Sequence, residues 1–153
     1  MNLEAKPNKY QAYKLQLFDP EVVFQSELSF DYNKKTLRPE AMKTLETLGS
    51  LLAERPEAYI KIEAHSDLAS PHYGTKLTRT RAEEVQAFLR QKSGLPVDHL
   101  EATGFEASCP VADNKSEEGR AANRRIEVII VASAEALSGP CRASASQPTS
   151  TPK

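Results

Sequence analysis

The clearest pattern in the chain is the alternation from Tyr59 to His65, with Ile60, Ile62 and Ala64 on one side and Lys61, Glu63 and His65 on the other. Period two over seven residues predicts a strand with one face buried. Upstream the period changes. Ala41, Leu45, Leu48 and Leu52 fall on one helical stripe with Met42 and Leu51 beside it, and Lys43, Glu46 and Thr47 point elsewhere. Pro39 stands where a first helical turn tolerates proline, and Pro56 closes the helix. Downstream, Leu77, Arg81, Val85, Phe88 and Leu89 predict a second helix. It opens at Ser70 as N-cap with Pro71 behind it and stops at Gly94 before Pro96. Val22-Val23-Phe24 and Leu28-Ser29-Phe30 predict a first strand within 22–31, with room for a bulge, followed by the polar turn Asp31–Lys35. Leu100–Phe105 reads as a third strand. Asn114 or Ser116 can cap a short helix through Ala122, and Ile126, Val128 and Ile130 alternate with Glu127 and Ile129 in a last strand.

The sum is an α+β fold, βαβαβ(α)β, with one mixed sheet and helices packed on one face. The strand–helix–strand unit in its middle should cross over right-handed. Residues 1–19 read as a lead-in, 20–132 as the domain, and 133–153 as a disordered tail, because the Ser/Pro/Ala-rich end has little to bury.

Composition narrows the function. The chain has 153 residues, enough for one domain with a real core, and 39% are hydrophobic and 27% charged. The net charge is −1 with the signs interspersed, which gives no footprint for nucleic acid. No apolar run is long enough to span a bilayer, and the first twenty residues hold no run of signal-peptide length, so neither an anchor nor an export signal is expected in this chain. Cys109 and Cys141 lack metal-site or CxxC spacing, and the sequence leaves open whether they are two thiols or one disulfide.

Three segments carry a family resemblance. They are H-S-D at 65–67, L-T-R-T-R-A at 77–82, and the run from Gly104 to Val128 that contains P-V-A-D-N-K-S-E-E-G-R-A-A-N-R-R. Together they resemble the OmpA-like peptidoglycan-binding domain, whose relatives include outer-membrane protein A, the peptidoglycan-associated lipoprotein and the periplasmic part of the flagellar stator. The run at 24–40 looks like its opening strand and turn, and the resemblance covers roughly residues 20–132. It implies an OmpA-C-like fold that holds the stem peptide of peptidoglycan without cleaving it. It also implies a periplasmic place at the outer membrane or wall, and no cofactor. The family's ligand-binding positions match Asp67, Arg81 and Arg124; His65, Ser66, Thr78 and Asn123 would support them. The sequence departs from the family at Gly74, where asparagine is usual, in a shortened loop after Asp67, and at Glu106, the second glycine of a common G-x-G. For an exported protein a Cys109–Cys141 disulfide is expected.

The implied chemistry is coherent. Diaminopimelate ends in an ammonium and a carboxylate. A carboxylate such as Asp67 suits the first, and the forked guanidinium of Arg81 suits the second. A site with both signs selects a zwitterion over simple ions. Other readings are weaker. His65, Ser66 and Asp67 are adjacent, so their side chains diverge and form no nucleophile–base chain. His65, Asp67, His72 and His99 lack metal-ligand spacing, and no metal is expected. Arg120 and Arg125 are by default surface cations. The rival reading keeps the fold, loses wall binding and leaves a protein-interaction module.

Overall fold

The computed structural model describes residues 21–26, 36–67 and 74–143. The lead-in 1–19, the second half of the expected first strand, the Ser70–Pro71 cap, His72 and residues 144–153 lie outside these. Strand β1 is Glu21–Ser26, β2 is Tyr59–His65, β3 is Leu100–Glu106 and β4 is Arg125–Val131. Helix α1 is Pro39–Leu52, α2 is Gly74–Ser93 and α3 is Glu117–Asn123. The sheet order is β1-β4-β2-β3. β4 runs antiparallel to both neighbours, and β2 and β3 are parallel. This is the expected mixed α+β sheet, and β1 carries an irregularity between Val22 and Phe24, as a bulge requires.

The apolar faces of β2 and β4 meet helices α1 and α2. Ile60, Ile62, Val128, Leu45, Val85 and Leu89 are each fully buried in one cluster. Pro39 does open α1, but Met42 and Leu51 stay exposed, so the buried stripe is narrower than the sequence suggests. Among the described side chains of α2 the buried positions are Thr78, Ala82, Val85, Leu89 and Ser93. The N-terminal half of the stripe is therefore one residue on from the expected one, and Leu77 and Arg81 are only half-buried.

Three expectations need correcting. β2 is not half-buried: Lys61 is 5%, Glu63 0% and His65 3% exposed. Arg125 is not a surface cation, since it is buried in the same layer. The reason is the third correction. The segment expected to begin a disordered tail is folded as far as it is described. A 3-10 turn at Ala134–Leu137 packs on Ile129 and Val131, and Cys141 and Ala143 pack with Cys109 against Phe105. The structure joins Cys109 to Cys141 in a disulfide. The C-terminal segment thus covers the second face of the sheet, and the polar alternation of β2 is the lining of a buried charge layer.

In that layer Glu63 and Glu127 stand directly opposite each other on β2 and β4. Two like charges so placed repel unless cations lie between them. Arg125 Nε donates to Glu127 Oε2 at 2.6 Å, and Arg142 Nε to Glu127 Oε1 at 2.7 Å. The Arg142 backbone N–H reaches Glu63 Oε2 at 2.8 Å, and Lys61 Nζ lies 3.3 Å from the same oxygen. Lys61 also donates to the Pro140 carbonyl at 2.6 Å. Burial alone would raise the Glu127 carboxyl, but the hydrogen bonds from Arg142 and Arg125 outweigh it and hold the group below the usual carboxylate range.

Candidate functional site

Parallel β2 and β3 end side by side, and Asp67 and Arg124 meet at that edge. Asp67 follows β2 by two residues. Thr78 and Arg81 lie on the first half of α2, which presses on β3 at Gly104. A side chain there would meet the Arg79 backbone N at 2.3 Å and Thr78 Oγ1 at 2.5 Å, so only glycine lets the helix sit this close. Buried Thr78 accepts the Glu106 N–H at 3.3 Å, and the Ser66 N–H donates to the Glu106 carbonyl at 2.8 Å. Glu106 itself has φ 54, a left-handed conformation that explains why a glycine would suit this position.

Arg124 reaches the same edge from the other side. It is the C-cap of α3, immediately before β4, whose Arg125 pairs with His65 of β2. Its Nη1 donates to Asp67 Oδ2 at 2.7 Å and its Nη2 to Glu117 Oε2 at 2.7 Å. The Asp67 side chain is 20% exposed and that of Glu117 66%, so one guanidinium bridges an inner and an outer carboxylate. Hydrogen bonds from Arg124 and Arg120 hold the Glu117 carboxyl below its ordinary range, and the Arg124 guanidinium is correspondingly raised, chiefly by Glu117. Arg81 is half-buried, and desolvation lowers its pKa. A desolvated guanidinium gains more than a hydrated one from a carboxylate partner.

The loop before α3 is fixed by Asn123, which is 1% exposed. Its Oδ1 accepts the N–H groups of Val111 at 2.6 Å and Ala112 at 3.0 Å, and its Nδ2 donates to the Ala112 carbonyl at 2.9 Å and Asn114 Oδ1 at 2.8 Å. This uses every donor and acceptor of the amide. Asn114 passes the constraint on by donating to the Asp67 carbonyl. Ser116 caps α3 by accepting the Gly119 N–H at 3.0 Å. Gly119 abuts the loop so closely that a Cβ would fall 1.7 Å from the Asp113 carbonyl oxygen.

His65 belongs elsewhere. It lies on the charge-layer face rather than under α2, with Nε2 3.0 Å from Glu63 Oε1 and its ring stacked on Phe105. His99 is also structural, stacked on Tyr59 with Nδ1 2.9 Å from the Ala58 carbonyl. Glu63, His65 and Glu127 bring ligand atoms within 4.8 Å of one another. Both carboxylates already face Lys61, Arg125 and Arg142, a cation-rich setting that suits a metal ion poorly. Sequence reasoning missed Glu117 and Asn114 as parts of the Asp67 edge. The available signals were the seven-residue spacing of Glu117 and Arg124, two turns apart on one helical face, and the side-chain reach of an asparagine just ahead of a cap.

The sequence profile of the OmpA family matches residues 29–124. The chain belongs to the OmpA family. Outer membrane porin F of Pseudomonas fluorescens is 34% identical over 110 residues, which are 71% of this chain and 33% of porin F. The outer-membrane lipoprotein YfiB of Pseudomonas aeruginosa is 33% identical over 80% of this chain and 73% of its own. The chain thus spans about a third of porin F and most of the lipoprotein. Among solved structures, the cell wall anchor of the T6SS from Pseudomonas aeruginosa is 30% identical with a TM-score of 0.60, covering 81% of this chain and 94% of that one. The peptidoglycan-associated lipoprotein of Burkholderia pseudomallei shares the fold at TM-score 0.59 and 24% identity, over 67% and 87% of the two chains. By these relatives the OmpA-family chain is a cell-envelope protein of the outer membrane or periplasm. Among the described residues no helix is long and apolar enough to cross a membrane.

Proposed function

We propose that this domain binds peptidoglycan without cleaving it, through the diaminopimelate of the stem peptide, and so ties its host to the cell wall. The supporting observation is a half-buried edge that carries both signs of charge on a rigid frame: Asp67 held through its backbone by Asn114, with Arg124 beside it and Arg81 on α2. In this reading Asp67 takes the ammonium. A carboxylate has about four acceptor sites, so its contact with Arg124 does not exhaust it. Arg81 takes the carboxylate, and its partial desolvation favours that pairing. Names among the relatives, a cell wall anchor and a peptidoglycan-associated lipoprotein, fit the same role.

Co-sedimentation with purified sacculi tests the proposal. Wild type should pellet and Asp67→Asn should stay in the supernatant while melting normally, with no soluble muropeptides released. A wild-type protein that stays soluble would favour the interaction-module reading. Released muropeptides would make the domain an enzyme.

A further inference from the structure

Arg124 presents two NH2 groups at the outer end of its guanidinium, and each is on a different carboxylate. Nη1 is on Asp67 at the inner side and Nη2 is on Glu117 at the solvent side. Glu117 comes from the first position of α3, two turns before Arg124, and its second oxygen takes Arg120 Nε at 3.2 Å. We infer that Glu117 is an internal competitor for the binding site: its carboxylate occupies the outer NH2 group of Arg124 until the ligand carboxylate, bound jointly by Arg81 and Arg124, displaces it.

The inference rests on the wall-binding reading and adds a residue that sets its affinity. Its chemistry is an exchange of like for like. A ligand carboxylate arriving at the Asp67 edge meets a guanidinium already oriented by Asp67, with its free rotation removed. The group to be displaced is exposed, and exposed ion pairs are weak and screened by salt. Glu117 keeps Arg120 as a partner after it leaves, so displacement strands no charge. In the empty state the competitor stops Arg124 from collecting arbitrary anions. A ligand that also offers an ammonium to Asp67 gains a second contact that a simple anion lacks, so the competitor sharpens selection for zwitterions.

Calorimetry of the full chain with a stem tripeptide ending in diaminopimelate tests this, using wild type, Glu117→Gln and Glu118→Gln. Glu118→Gln makes the same charge change one residue away on an exposed side chain. If Arg124 is competent only part of the time, removing the competitor should tighten binding by about threefold in Glu117→Gln. Glu118→Gln should change affinity less. Unchanged or weaker binding by Glu117→Gln overturns the inference, since Glu117 would then be irrelevant or would position Arg124 for the ligand. Equal gains in the two variants also overturn it, because net charge alone would account for both. A second readout is the titration of the Glu117 carboxyl by NMR. Saturating peptide should raise its midpoint toward the ordinary carboxylate value, and a midpoint unmoved by bound peptide contradicts displacement. Failure of wild type and both variants to bind any peptide is a different result, which removes the wall-binding reading and this inference with it.

Discussion

Asn123 shows how much one buried side chain can hold. Its amide makes four hydrogen bonds that fold the 109–116 loop into the shape from which Asn114 reaches Asp67. Asn123→Ala leaves the part-buried backbone groups of Val111 and Ala112 without their Asn123 partners and empties a buried side-chain site; a fully buried unpaired group costs about 1–3 kcal/mol, and these cost a share of that each. Chemical denaturation should therefore show a loss of about 1–3 kcal/mol. Asn123→Asp should recover little, since a carboxylate cannot donate to the Ala112 carbonyl. Glu127 gives the pH counterpart. Its carboxyl is depressed in the folded protein, so its contribution is complete above the unfolded pKa of about 4.3 and is lost as the pH falls through the lower folded value. Melting temperature should fall on acidification below about pH 4. The same scan on Glu127→Gln should show a shallower acid limb from a lower starting stability. An acid limb equally steep in that variant would assign the effect to other carboxylates.

At the scale of elements, the sequence was legible wherever a period could be counted. β2 and α1 lie where their patterns put them, and the stop of α2 at Gly94 follows from a residue suited to a φ of +74. The second layer of the sheet was not legible. Lys61, Glu63 and His65 alternate with apolar residues just as a solvent-facing row would. Only a tertiary fact, the return of residues 139–143 over that face, makes them interior. The segment itself looks like disorder because it covers the sheet with one disulfide, one arginine and backbone contacts instead of an apolar stripe. Truncation separates the cases. Ending the chain after Ala143 should leave the melting temperature within a few degrees of the full chain. Ending it after Ala136 removes Arg142 and Cys141 and uncovers Glu63 and Glu127, which keep Lys61 and Arg125 as partners. Removing a native disulfide costs about 2–5 kcal/mol, and the Arg142 hydrogen bonds to Glu127 are lost with it. Equal stability of the two truncations would show that the charge layer does not depend on its cover.

For the whole molecule, the two faces of the sheet divide the work. The helical face carries the apolar core, and the charge-layer face is fastened by the C-terminal segment. At the edge where β2 and β3 end, Asp67 meets Arg124. The disulfide partner Cys109 opens the loop that ends at Asn114, so the cover and the candidate site share one piece of backbone. The family resemblance singled out Asp67, Arg81 and Arg124; the structure brings Asp67 and Arg124 into contact, and that wiring was not legible in the sequence. The direct contact of Asp67 with Arg124, and of Arg124 with Glu117, depends on how a seven-residue helix is seated on the loop before it.

The central claim is that Asp67 and the arginines read the two charges of diaminopimelate. Calorimetry with paired stem peptides, one ending in diaminopimelate and one in lysine, tests it most directly. Lysine keeps the ammonium and lacks the carboxylate. Wild type should prefer the diaminopimelate peptide, and Asp67→Asn should weaken both, since truncating one partner of a partly buried charge pair costs about 2–5 kcal/mol. Arg81→Ala should lose most of the preference between the peptides, and Arg81→Lys should restore only part of it, because an ammonium lacks the parallel donors of the fork. Arg124→Ala in the same set shows how much discrimination the second guanidinium supplies. Equal wild-type affinity for the two peptides would mean that no guanidinium of this edge reads the ligand carboxylate.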